Sequence, residues 1–486
     1  MSENEVVSLP VVIAGEKRLP GDDAFEIKYD TGLTVRLYRP TVSDAVRMVN
    51  SDREALRRLS IDDITVFFDK VAKRWRDPSN PWLKTAFDLG VKTSGYDKHI
   101  IQSDIGEIGY ALERPHQYDL IEADLGDASS LDEWVKNKAI YYRCWPKGLI
   151  AHVMVGNVPR ASLFTIYRSL VTKNLTITKV PSRDVVSALC FANCIQETDP
   201  DSPITRALSA LYWEPESEVE NIIIQAADAV SVWGRGATVE ALRRRVPGHA
   251  DFIEFGPKRS LAVVMGEVQD LSRISMKAAF DVVSYDQEAC FSVREIFVKG
   301  DVARFAELLG YWLDRYRTAI PRRILSKDAE MHVQRARIEA STEGWKVISS
   351  EGTDWTIVIT DGLAQIQEHP LSRFVYVHPI SSIDEVLPNI GRDTQTVSIE
   401  PWDDVWKYAD ALTMAGADRI VPIGRHSKLR PGFIHDGFHP LRRMVRWVAV
   451  ERPMSYKYQF TAASVSELEW NLYEKVFEDI PQPQSA

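Results

Sequence analysis

The chain has few of the features that mark secreted, membrane-spanning or nucleic-acid-binding proteins. Its 486 residues include only four cysteines, Cys144, Cys190, Cys194 and Cys290, too sparse for a disulfide framework, so free thiols in a reducing compartment are expected. No apolar run approaches the ~18 residues that a spanning helix needs, so no transmembrane segment is expected. The opening MSENEVVSLPVVIAGEK lacks the basic start of a secretory signal, and a cytoplasmic location is the expectation. Cationic charge is also short. Lys and Arg number 59 against 69 Asp and Glu, for a net charge of −10, which leaves no basic footprint for a nucleic-acid backbone. P-loop, H-E-x-x-H and G-x-S-x-G patterns are missing. What is present, 45% hydrophobic, 26% charged and 10% aromatic residues, is the make-up of a globular protein of more than one domain.

The first hundred or so residues combine a strand-like segment over 25–39 with amphipathic helical stretches over 43–50 and 61–75 and read as packing material. From residue 139, AIYYRCWPKGLIAHVMVGNVP gives two β-rich runs hinged at Pro146-Lys147-Gly148. A helix over 161–172, a strand over 174–180, a helix over 184–197, a strand over 229–233 and a helix over 238–245 follow. Strands separated by helices imply parallel crossovers and a doubly wound sheet, which places ligands at the carboxyl ends of its strands. A second series has a helix over 303–318 and strands over 345–349, 356–360, 374–378, 396–399 and 419–422, so two α/β lobes are expected.

Cys290, in SYDQEACFS with Gln287 three residues upstream, lies between a helical segment and a strand, a plausible junction for a nucleophile. A single Cys is more often a small buried hydrophobe, and the residues alone favour that reading. Cys190 and Cys194 stand at helical i,i+4 spacing and read as core. Gly234 and Gly236 in VSVWGRGATVEAL follow a strand and open a helix, where free N–H groups suit a pyrophosphate; a purely steric role is equally open. His426, His435 and His439 lie in a loop without metal-ligand partners and read as hydrogen-bonding structural residues.

Taken in order, RCWPKGLIAHVMVGNVP, SVWGRGA, FGPKRS, YDQEACFS, HPLSRFVYVH and HDGFHPLRRMVRWV resemble the aldehyde dehydrogenase superfamily, and most closely its LuxC-type branch, the fatty acyl-CoA reductases of bacterial luminescence systems. The resemblance runs nearly end to end. It implies an α/β, aldehyde-dehydrogenase-like fold. Residues 1–138 would be the N-terminal part of the cofactor lobe and 139–269 its Rossmann-like body, with 139–148 as an oligomerisation strand. Residues 270–445 would form the catalytic lobe and 446–486 a C-terminal arm.

By the same resemblance Cys290 becomes covalently acylated, Asn157 in GNVP hydrogen-bonds the oxyanion, Lys179 touches the adenosine ribose, and Gly234, Arg235 and Gly236 form the pyrophosphate turn. Ser182 and Arg183 stand where NAD-preferring relatives carry a Glu, which implies NADPH. Glu254 in IEFGPK falls at the general-base position of hydrolytic relatives. The implied activity is NADPH-dependent reduction of a fatty acyl thioester, acyl-CoA or acyl-protein, to the aldehyde through a thioacyl-Cys290 intermediate. A homo-oligomer and an acyl-protein synthetase partner are implied with it. Two alternatives stay open: a Cys-dependent acyltransferase subunit that does not reduce, and a non-acylating aldehyde dehydrogenase, which Glu254 keeps alive.

Overall fold

Alternation of β-rich runs with helices builds two seven-stranded sheets and two three-stranded ones. The computed structural model describes residues 5–451 except 139, 235, 267, 365, 367, 429 and 431, so Arg235 and the arm beyond residue 451 lie outside the described residues. The first large sheet has the order Asp251–Phe255, Ala229–Trp233, Leu149–Val153, Leu175–Lys179, Leu208–Leu211, then the hairpin strands Val11–Ile13 and Glu16–Arg18. Its first five strands are parallel, and the hairpin joins antiparallel. Leu175–Lys179 and Ala229–Trp233 are buried along their whole length, as strands covered on both faces must be.

After the N-terminal hairpin, the parallel part of this sheet begins at Leu149–Val153, steps outward through the helices Pro159–Val171 and Val185–Thr198, then returns to the other flank of Leu149–Val153 with Ala229–Trp233. Strand order therefore reverses beside Leu149–Val153. The crevice at the carboxyl ends of these strands is the switch point at which doubly wound sheets bind ligands.

The second sheet runs Lys346–Ser349, Thr356–Ile359, Phe374–Pro379, Val293–Lys299, Arg259–Met265, Thr394–Glu400, Arg419–Pro422, parallel but for its first pair. Arg259–Met265 is central to it, so the chain changes sheets between Phe255 and Arg259 and not at the expected 269/270 boundary. RSLAVVM is a short apolar run buried on both faces, and such a run carries no alternation by which to read it.

N-terminal helices pack onto the first lobe. Ile61–Arg76 begins with a capping box between Ser60 and Asp63, and buries Trp75 edge-on to Phe191 of Val185–Thr198 at 5.4 Å. Ile140–Pro146 lies in a separate sheet between Val135–Asn137 and Val445–Glu451, which brings the end of the described chain back to residues 140–146. Among the described residues no helix is long and apolar enough to cross a membrane.

Candidate functional site

A cavity of about 600 Å³ opens at the switch point, where loops of the first sheet face the turn before Val293–Lys299 of the second. Its walls carry Asn157, Lys179, Ser182, Arg183, Gly234 and Cys290, which the sequence singles out at widely separated positions. Gly236 opens its helix next to this turn, and Glu254 is not on the wall.

The turn that presents Cys290 is unusual in its backbone. Tyr285, Asp286 and Gln287 are left-handed, at φ 54°, 49° and 65°, and Leu371, Ser372 and Arg373 opposite them are left-handed too, at 58°, 62° and 63°. Such conformations cost of order 1–3 kcal/mol per residue, so the surroundings must fix them. Buried Arg373 donates to the Asp286 carboxylate at 2.7 Å, and the Ser372 N–H donates to the Asp286 carbonyl at 3.1 Å. The Gln287 amide donates to the carbonyls of Val293 and Phe374 at 2.8 and 2.7 Å and accepts from Phe374 N–H at 2.8 Å. The Tyr285 hydroxyl donates to buried Asp104.

Cys290 Sγ accepts a hydrogen bond from Gln395 Nε2 at 3.1 Å, and the same nitrogen donates to Asp436 Oδ1 at 2.8 Å. Burial, and then the charge of Asp436, push the thiol up to about 12, against the lowering effect of the Gln395 hydrogen bond, so the resting group is a protonated thiol. Neither Gln395 nor Asp436 is found by the sequence reading. Two signals for them exist. Thr394–Glu400 is buried at every position yet reads TQTVSIE, and buried polar residues are the informative ones. Residues 435–438 read HDGF, a hairpin-turn signature, and Asp436 and Gly437 both take positive φ, 49° and 82°, as a type I′ turn requires.

Asn157 follows Leu149–Val153 and spends one of its two amide hydrogens on the Glu288 carbonyl at 2.8 Å, leaving the other for a ligand. Its Oδ1 is buried without a partner among the described residues. The Glu288 side chain collects Tyr96 Oη at 2.9 Å together with Arg183 and Arg323, while the Tyr96 hydroxyl is also 3.0 Å from the Asn157 carbonyl oxygen. The placement of Arg183 differs from the expectation of a free 2′-phosphate donor, because the guanidinium is drawn to Glu288 in the Cys290 turn. Lys179 Nζ is 3.1 Å from Glu220 Oε1, and Glu220 also accepts from Arg245 at 2.6 Å and Trp213 at 3.1 Å. Lys179 thus reaches the wall with its charge already paired.

In the glycine turn, Gly234 N–H donates to the Phe255 carbonyl at 3.3 Å. A methyl group on Gly156 would stand 2.8 Å from Arg183 Cβ, so the first two loops meet closer than any side chain permits. Trp233 stacks on Phe255 at 4.0 Å, and His435 stands edge-on to both rings at 5.0 and 5.1 Å. His426 and His439 are structural as expected, bonded through Nδ1 to the Phe291 carbonyl at 2.7 Å and to Asp124 at 3.1 Å. His435 departs from that reading. It is buried on the cavity wall with no hydrogen bond to either nitrogen among the described residues, and burial followed by the charge of Arg168 holds it well below the usual imidazole range.

Glu254 corrects the sequence reading most directly. Ile253 and Phe255 are buried, whereas Glu254 points to the opposite side of its strand and pairs with exposed Arg243. An open glycine turn at the ends of parallel strands, beside Trp233 Nε1 and His435 nitrogens that have no hydrogen-bond partner among the described residues, and a wall carrying cationic side chains suit a nicotinamide dinucleotide, so the residues present fit that group.

The family described as acyl-CoA reductase (LuxC) matches residues 56–447. The chain is 32% identical over 463 residues to a long-chain acyl-protein thioester reductase of Vibrio harveyi, covering 94% of this chain and 95% of that protein. It is 31% identical over 480 residues to the protein of that name from Aliivibrio fischeri, covering 97% and 99%. Among solved structures, 3,6-anhydro-L-galactose dehydrogenase superposes with a TM-score of 0.71 at 15% identity, covering 91% of this chain and 99% of that one. NADP-dependent glyceraldehyde-3-phosphate dehydrogenase from Bacillus halodurans gives 0.70 at 12%, again covering 91% and 99%. The fold is that of the aldehyde dehydrogenases.

Proposed function

The chain belongs to the acyl-CoA reductase (LuxC) family, and from that premise we propose that it reduces a fatty acyl thioester, acyl-CoA or acyl-protein, to the aldehyde through a covalent thioacyl-Cys290. The observation that carries this reading is the placement of the partly buried Cys290 on the wall of one cavity with Asn157, Ser182 and Gly234. Thiolate attack on a thioester carbonyl builds negative charge on oxygen, and the free amide hydrogen of Asn157 is the donor for it. Expulsion of the carrier thiol leaves the acyl group on Cys290. The chemistry that a nicotinamide supplies when bound here is hydride donation to that thioester. Leu120, Val158, Ala161, Phe164, Phe291 and Phe433 give the cavity that holds Cys290 an apolar share of its wall suited to an alkyl chain.

For the cofactor the reading is NADPH. Between Lys179 and Arg183 no carboxylate is present to repel a 2′-phosphate, and Asp184 is committed to capping its helix through Ser187 N–H at 3.2 Å. With Arg183 drawn to Glu288, the Ser182 hydroxyl and the lack of a carboxylate carry this preference. The same reading includes an acyl-protein synthetase as donor partner and a homo-oligomer joined through the Ile140–Pro146 sheet, where Trp447 and Val450 are exposed. A panel of acyl-CoA esters followed by NADPH absorbance and aldehyde detection tests the activity. Consumption of NADPH with aldehyde formation is expected, and thioester hydrolysis without oxidation of NADPH contradicts it.

A further inference from the structure

Resting on the reading of Cys290 as the acylated nucleophile, we propose that Asp436 is the base that takes the Cys290 thiol proton and returns it to the departing carrier thiol, with Gln395 holding the two groups in register.

The Gln395 amide touches Sγ at 3.1 Å and Asp436 Oδ1 at 2.8 Å. Two acceptors on the two hydrogens of one amide nitrogen stand about 5 Å apart, the span of a single bridging water. The rigid His435–Phe438 turn aims Asp436 at this point, with paired backbone bonds of 3.0 Å each way. Other carboxylates near the thiol are occupied or absent from the wall. Glu288 is taken by Arg183, Arg323 and Tyr96, and Glu254 faces Arg243 outside the cavity. His435 is a poor base, held neutral by burial among Arg168, Arg419, Arg160 and Lys258.

The proton balance favours the pair. The Cys290 S–H bond breaks and its proton passes to the Asp436 carboxylate, while the sulfur electron pair forms the bond to the thioester carbonyl carbon. Collapse of the tetrahedral adduct breaks the bond to the carrier sulfur, which takes the proton back from Asp436. No oxidation or reduction occurs in these steps. One negative charge resides on the pair before and after proton transfer, so the buried site never accumulates two. Groups facing Asp436 are Cys290, His435 with Nε2 at 3.7 Å, Lys258, and Asp418, which pairs with Lys258 at 2.9 Å. Arg160 and Arg419 face Cys290. Burial raises Asp436 to about 6, so near pH 7 it is mostly ionised and able to accept a proton.

The test is the nitrophenolate burst on acylation by p-nitrophenyl acetate without NADPH, across pH 5 to 9, with Cys290→Ser to assign the burst to Cys290. Wild type should show a rate rising through a limb near pH 6. Asp436→Asn should slow the burst at pH 7 by about 10²-fold and lose that limb, the effect expected for a removed general base. Asp436→Glu should keep the limb, which separates the proton role from a fault in folding. The proposal is overturned if Asp436→Asn bursts as fast as wild type or faster, since removing a bystander carboxylate only makes the thiol easier to ionise. That result would leave the reductase reading intact. Conversely, a normal burst in a protein that makes no aldehyde would defeat the reductase reading and not the base.

Discussion

Cys290 is held as a protonated thiol by burial and by Asp436, so its reactivity depends on groups that surround it and not on ready ionisation. Cys290→Ala and Cys290→Ser should abolish covalent acyl labelling measured by intact mass. Cys144→Ala, Cys190→Ala and Cys194→Ala should keep the label, because those thiols are buried in the core. Asn157→Ala should lower kcat by roughly 10²–10³, the usual loss of one oxyanion donor, with cofactor affinity little changed. A selective loss of cofactor binding contradicts that role. Ser182→Glu should weaken NADPH more than NADH in fluorescence titration, since the new carboxylate repels a 2′-phosphate; equal losses contradict the assignment. Glu254→Gln should leave turnover within about twofold of wild type, where loss of a general base would cost 10² or more.

Among elements, the two left-handed triplets are the most demanding part of the site. Arg373 and Asp286 are both almost wholly buried, and their bond fixes one triplet against the other. Arg373→Met would remove the cation paired with a buried carboxylate and leave it only the Arg323 N–H at 3.2 Å, a change worth about 3–5 kcal/mol. A marked fall in thermal midpoint by calorimetry, with slower acyl labelling, is the expected outcome; an unchanged midpoint would show that the turn holds its shape without the pair. These triplets were not legible in the sequence, because YDQ and LSR lack the glycine that usually announces positive φ. The strands 229–233 and 374–378 were legible, because their β-branched and aromatic runs are bounded by turn residues. Arg259–Met265 was not, because burial on both faces removes alternation. The pairing of Arg183, expected at a 2′-phosphate, with Glu288 was not legible either, since it bridges 105 positions of chain.

Across the whole molecule, a chain of net charge −10 lines its cavity with Arg160, Arg168, Lys179, Arg183, Lys258, Arg294 and Arg430 against only Glu288 and Asp436. Carboxylates hold several of these cations in place, Lys179 through Glu220, Lys258 through Asp418, Arg160 through Asp104 and Arg183 through Glu288. The sheet order assembles this wall, since the switch point at Leu149–Val153 brings Asn157 and Gly234 to the crevice faced by the Cys290 turn. The central claim is that one cavity both takes an acyl group onto Cys290 and has it reduced there. The most direct test is intact mass spectrometry of the protein incubated with a long-chain acyl-CoA, before and after NADPH is added, with aldehyde measured in the same sample. The account predicts one acyl adduct on Cys290 that disappears on addition of NADPH as aldehyde forms in equal amount. An adduct that persists with NADPH, or aldehyde formed by Cys290→Ala protein, would contradict it.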